Sequence, residues 1–497
     1  MKKLKLVCVA IAMAGAAPTF AGGLLTNTNQ HVAFNRMMSR EASIGIDGVY
    51  YNPAGVVFMG EGHHLAINWQ LAYQTRTINN DYKLFTNNVN NPITPRDFKG
   101  KAFAPVIPSF QYAYNKGKWS FQANFALTGG GGKCTFDDGL GSFEKIVSET
   151  AIAACGLAGV VDQTLGNALG QPGMEMFTSD QAFGKTGKYS FNSYMHGRQY
   201  YYGLSVGAAY KFCDNFSAFL GVRGVYALTN YYGYVENINV GNMPLYKVLD
   251  PTKENAANIE LSCDQTGVGF TPIIGVDYKT GRWNFSAKYE FKTRIRLKNK
   301  SVNQTPSIGN LPANLANQMT GILTARYQQA GLPLEQAKQQ AENTTNAVLN
   351  DPTVGATMMG LKTQFDQKLN KAIGEYEDGK KIAGDIPGYL ALGIGYSPVD
   401  AVRVNVGFHW FDDKNATSYN NRNKELKRGT LEYNAGVEVD VNKKITLSTG
   451  WQNTNYGLSD EYMDDKSFVV GSNSAAIGGV YHINKKMDLN VAYFHTF

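Results

Sequence analysis

The sequence predicts an all-β fold: a transmembrane antiparallel β-barrel of the roughly fourteen-strand type, with a turn-rich N-terminal segment and helical outer loops. Composition is the first observation behind this. Only 18% of residues are charged, 12% are aromatic, and 29 tyrosines accompany 53 glycines. Mean hydropathy is −0.28, and beyond the leader no run reaches the roughly 18 consecutive apolar residues of a spanning helix. Periodicity is the second. In "WNFSAKYEFK", Trp283, Phe285, Ala287, Tyr289 and Phe291 alternate with Asn284, Ser286, Lys288, Glu290 and Lys292. One face is apolar with aromatic ends; the other carries charge. The third is loop length, since tight and long connections take turns along the chain.

Residues 1–21 read as a signal peptide. Lys2, Lys3 and Lys5 form a basic start, Leu6 to Ala17 an apolar core, and "TFA" a small-residue cleavage site before Gly22. Export to the cell outer membrane is the expectation. Without the leader, 47 − 3 = 44 basic residues face 40 acidic ones, a balance too slight for a nucleic-acid partner. Residues 22–60 hold "GVYYNPAG", where Pro53 fixes its own φ and pushes Asn52 out of the helical region.

The barrel is expected over 61–497. Its first strand is "HHLAINWQLAYQT" from His63; "WSFQANFALT", "VRVNVGFHW" and "LEYNAGVEVD" repeat the alternation. Tight turns fall at "NKGK", "FCDN", "KTGR", "SPVDA", "VNKK" and "INKK". Six turns join twelve strands, and the His63 strand makes thirteen. An odd count leaves two readings: a strand within 129–196 or 235–260 is uncounted, or a closing strand is missing.

Inserts near 129–196 and 299–386 have helical periodicity. Leu315, Met319, Ile322, Leu323 and Tyr327 share one face, as do Met358, Leu361, Phe365, Leu369 and Ile373. Such stripes pack helices together or line an adaptable apolar groove. "LTGGGGK" puts Gly129, Gly130, Gly131 and Gly132 at the outer end of the third strand, marking a kink or a flexible loop exit. Arg223, Arg403 and Lys288 face inward, to pair with Glu290, Glu432 or Glu438, or to meet an anion. Cys134 and Cys155 flank one loop and form the candidate disulfide, with free thiols as the alternative. No His/Cys cluster has metal spacing. The seven histidines lack a Ser or acid at recognisable spacing, so neither an enzyme nor a cofactor is expected.

"GVYYNPAG", set between leader and first strand, resembles the hatch segment of the FadL-type long-chain fatty acid transporters. "DIPGYLALGIGYSPVDAVRVNVGFHW" and "NSAAIGGVYHINKKMDLNVAYFHTF" resemble late hairpins of that family. The resemblance extends over about Gly22 to Phe497, with 129–196 and 299–386 matching in position alone. It implies that Asn52, Pro53 and Ala54 seat a hatch that plugs the lumen. It also implies that outer-loop helices capture substrate and that a kinked third strand releases it sideways into the membrane. On that basis Met319, Leu323, Met358 and Phe365 are candidate substrate contacts, Arg223 the candidate carboxylate partner, and Gly129 to Gly132 the candidate lateral gate. The expected partners are a long-chain fatty acid or another hydrophobic small molecule, and outer-membrane lipid, met by a monomer. The alternatives are a surface adhesin or structural barrel, and a plugged channel for aromatic hydrocarbons.

Overall fold

The structure, a computed structural model, describes residues 24–306, 308–466 and 469–497; the expected signal peptide lies outside them. The alternating runs are strands. In chain order these are β1 (Gly62–Asn80), β2 (Arg96–Lys116), β3 (Trp119–Phe136), β4 (Tyr189–Lys211), β5 (Phe216–Val240), β6 (Met243–Pro244), β7 (Ile259–Thr280) and β8 (Trp283–Glu290). Then come β9 (Arg296–Gln304), β10 (Lys381–Ala383), β11 (Tyr389–Val399), β12 (Val402–Phe411), β13 (Leu431–Asn442), β14 (Ile445–Asn455), β15 (Ser472–Asn484) and β16 (Met487–Thr496).

They form one 16-stranded antiparallel sheet; β6, β9 and β10 lie off its main path, and 16 − 3 = 13 strands make the wall. That wall matches the thirteen countable in the sequence. Among the described residues β1 and β16 are the two ends of the path. Phe497 lies at the outer end, donating its backbone N–H to the Asn473 carbonyl at 2.8 Å.

Side chains sort as the alternation requires. Ile67, Trp69, Leu220 and Phe270 are 77, 68, 68 and 70% exposed, a pattern that suits lipid and not water. Gln111, Asn124, Ser217 and Thr229 face inward and are buried. The first three bond the N-terminal segment at Gln30 and Ala54; that segment carries the short helices α1 (Val32–Met37) and α2 (Gly48–Tyr51), while Thr229 bonds Gln265 of β7. A barrel this wide is not filled by its own side chains.

The outer inserts carry α3 (Gly141–Ala168), α4 (Tyr246–Leu249), α5 (Leu311–Gln329), α6 (Leu334–Leu349) and α7 (Pro352–Ile373). Their apolar faces form one large core, which includes Val147, Val161, Leu315, Met319, Leu323 and Val348. α3 is long and apolar enough to cross a bilayer, yet it packs in this cluster.

The cysteine expectation is corrected here. Among the described residues all four cysteines are free. β3 continues past Cys134, which stays in the wall opposite Ala102 and Gly197. α3 turns Cys155 into the helical core, where its Sγ donates to the Phe183 carbonyl.

Candidate functional site

Amphipathic helices laid over a barrel mouth leave an apolar seam where their faces do not fully interlock. Here the seam holds two cavities. One, of about 70 Å3, is lined by Leu157 and Val161 of α3, Leu311 and Leu315 of α5, and Leu361 and Phe365 of α7. The other, of about 60 Å3, is lined by Phe143, Tyr231, Tyr234, Leu369, Tyr376 and Lys466. Ile146 and Ile259 line both, so the seam runs unbroken from the helices to the upper wall at β5 and β7. Both spaces are small. Burial pushes the Glu375 carboxyl, next to Tyr376, above the usual range, against the pull of Lys466 and Arg422.

Of the four apolar candidates read from the helical stripes, Phe365 lines the first cavity. Met319 and Leu323 are fully buried in the helical core, and Met358 packs against it. The stripes therefore divide: part joins helix to helix, and part, through Leu315 and Leu361, faces the seam. Lys466, on the loop between β14 and β15, carries no periodicity that would have marked it.

Below the seam the chemistry changes. Arg223 Nη2 meets Glu290 Oε2 at 2.6 Å, and Arg223 Nε donates to Ser205 Oγ at 3.1 Å. Lys288 Nζ donates to Glu290 Oε1 at 2.9 Å and to the Tyr50 carbonyl at 2.7 Å. Arg223 thus ties wall strands β4, β5 and β8 together and lines neither cavity, while Lys288 makes the bond to the N-terminal segment. The His409 ring sits between Glu41 and Glu432, 2.8 Å from each. Glu438 gathers Arg40 at 2.8 Å and Arg403 at 3.0 Å.

The Asn-Pro-Ala turn ties three strands. Asn52 Nδ2 donates to Asp277 Oδ2 of β7 at 2.6 Å, while its Oδ1 accepts from the Gly55 N–H at 3.1 Å. The Pro53 carbonyl accepts from Gln122 of β3, and the Ala54 carbonyl from Ser217 of β5, both at 2.7 Å. On the far wall Gly436 and Gly450 are cross-strand partners. A Cβ on either would collide with the Met37 carbonyl, so glycine is what lets the segment's backbone lie against the strands.

The wall itself is broken between β2 and β3. Their pairing passes from Phe103 opposite Lys133 directly to Phe110 opposite Phe125, leaving 104–109 and 126–132 unpaired with each other. β3 makes this break with Gly130, Gly131 and Gly132 at φ of 68°, 148° and 97°, conformations that side chains disfavour. The glycine run is thus a bulge within a strand that continues to Phe136, not a loop exit. Ala104, Ile107 and Leu127 fill the break. At its edge, Asn27 N–H donates to the Thr128 carbonyl at 2.9 Å and Gly130 N–H to the Leu25 carbonyl at 3.2 Å.

No family model matches the chain, and no curated protein matches it in sequence. Solved structures do match in fold. A Pseudomonas aeruginosa FadL homologue aligns over 97% of this chain and 91% of its own, at 14% identity and a TM-score of 0.53. The Pseudomonas putida toluene transporter TodX aligns over 97% and 94%, at 12% identity and a TM-score of 0.44. The Ralstonia pickettii toluene transporter TbuX aligns over 91% and 94%, at 12% identity and a TM-score of 0.42. At these identities the likeness is one of fold, and the chain has the fold of the FadL homologue.

Proposed function

We propose that this protein carries hydrophobic small molecules, long-chain fatty acids foremost, across the outer membrane. The observation that supports this best is the apolar seam under the outer-loop helices, set above a sealed lower lumen and a broken wall. An apolar molecule is captured at Leu315, Leu361 and Phe365, where each buried methylene adds about 0.8 kcal/mol. The filled lower lumen stands in the straight path to the periplasm, and the break between β2 and β3, at the level of the seam, is the exit into lipid on this reading. Lys466, which lines the second cavity beside Glu375, is on this reading the cation that meets a carboxylate, since Arg223 is bound to Glu290 and lines neither cavity. Residues 22–60 act as the hatch.

The test is equilibrium binding of oleate and of oleyl alcohol. Replacing Leu315, Leu361 and Phe365 with Ser together should weaken both ligands. Lys466→Met should weaken oleate alone. Unchanged binding in the triple variant would remove the seam from the transport path. The tyrosine-rich second cavity favours one other reading, compact aromatic hydrocarbons, which predicts toluene binding insensitive to Lys466.

A further inference from the structure

Four cations stand together on the lipid-facing surface at the outer lip of the wall break. The outward face of β2 runs through exposed Phe110, Val106 and Phe103, then Lys101 and Lys99. On β4 exposed Val206 and Leu204 lead to Tyr202, Tyr200 and then Arg198. On β3, Lys133 directly follows the glycine bulge, opposite Phe103 on one side and Arg198 on the other. The four cations therefore begin where the apolar surface ends, at the level of lipid headgroups.

Lys133 and Arg198 are directly opposed, an arrangement in which like charges repel. The Arg198 guanidinium lies 5.9 Å from the Tyr200 ring centroid, and its buried Nε has no hydrogen-bond partner. Among the described residues none of the four has an ion-pair partner in the chain. The acid nearest along β2, Asp97, forms no ion pair with any of the four; its Oδ1 accepts from Asn79 Nδ2 at 2.9 Å. The repulsion is therefore left for something outside the chain to neutralise.

We propose that Lys99, Lys101, Lys133 and Arg198 bind the phosphorylated headgroup of an outer-leaflet lipid, whose acyl chains then lie over the wall break. Arg198 offers a planar fork suited to phosphate oxygens, and the lysines add point charges around it. A bound lipid would form the outer lip of the exit. This rests on the outer-membrane orientation of the fold and not on any cargo.

The full chain is placed in neutral phosphatidylcholine nanodiscs and titrated with bisphosphorylated lipid A, bound lipid being counted by native mass spectrometry. Wild type should bind it, and should bind the dephosphorylated form at background level. Inorganic phosphate should not compete, which separates a lipid headgroup from a free ion. Neutralising the cluster (Lys99→Gln, Lys101→Gln, Lys133→Gln and Arg198→Gln) should weaken binding about tenfold or more. The same charge loss at Lys185, Lys247, Lys253 and Lys338 should leave it unchanged. Equal binding by wild type and cluster variant, or by the two lipids, would overturn the proposal. Should the fourfold variant fail to fold, Lys101→Gln with Lys133→Gln and a salt titration of wild type serve instead; salt-independent binding overturns it as well. Oleate binding on the same samples separates this outcome from failure of the transport reading.

Discussion

The lower and upper halves of this barrel are filled by opposite means. The lower half holds a polar segment whose carboxylates, guanidiniums and amides reach the wall at fixed distances: Asn52 to Asp277, Glu41 to His409, Arg40 to Glu438. Directional contacts of this kind define one arrangement, and a misfit leaves a buried charge unpaired. The upper half is filled by Leu, Ile, Val, Met and Phe, with two small cavities along their seam. Dispersion contacts hold helices together without fixing one register, so this region yields to a ligand. A fixed plug below and an adaptable chamber above is the division of labour that the proposed transport requires.

Removing Glu290 should break the contrast most severely. Glu290→Ala leaves Arg223 and Lys288 buried without their anion, and about 3–5 kcal/mol of stability should be lost. Heat-modifiability on gels and thermal unfolding report this. In the upper half Leu361→Ala, at a half-buried side chain, only enlarges a cavity, and the loss should stay at the low end for such changes, about 2 kcal/mol. A loss from Leu361→Ala as large as that from Glu290→Ala would erase the distinction.

Next in size is the seat of the turn. Asn52→Ala removes the bond to Asp277 and the one from Gly55, with an expected cost of about 1–3 kcal/mol. Planar-bilayer recordings should show more frequent openings to small ions. Gly450→Ala, which presses on Met37, should act in the same direction, whereas a substitution at Lys362 on exposed α7 should not.

The smallest effect is one of pH, and its sign differs between the halves. His31 caps α1, its Nδ1 accepting from the Ala33 N–H at 2.9 Å. Burial, with help from Arg40 and Arg36 and against Asp47, lowers its pKa from 6.5 to about 4. Its contribution is full above 6.5; as pH falls from there toward 4 the unfolded chain takes the proton first, and stability declines. Glu375, raised by burial from 4.5, works the other way, costing stability as pH rises above 4.5. Acidification from pH 7 to 5 should therefore speed hydrogen exchange around α1 and slow it around Tyr376. His31→Asn, which keeps a capping oxygen, should remove the first change and leave the second.

Much of this was readable in the sequence because it is local. Period-two alternation placed the wall strands, Asn-Pro-Ala announced a turn, and the glycine run marked a weak point in β3. α6 went unread because its buried face is Ala337, Ala341, Thr345 and Val348, too faintly apolar to form a stripe. Which cation meets which acid depends on register across strands. Arg223 was read as pairing with Glu290, Glu432 or Glu438 or meeting an anion, and the register of β5, β7 and β8 selects Glu290. Lys466 is set by a loop's path, and the separation of Cys134 from Cys155 by β3 running on to Phe136 instead of ending at the glycines.

The central claim, exit through the side of the barrel, is tested most directly by closing the break. A Cβ on Gly132 would stand 3.4 Å from the Ala104 Cβ, close to the spacing of a disulfide. Ala104→Cys with Gly132→Cys, in a Cys134→Ser background, should oxidise across it. Labelled oleate uptake into proteoliposomes should then stop while oleate binding at the outer loops persists, and reduction should restore uptake. Uptake at the same rate in oxidised and reduced protein would contradict the lateral route.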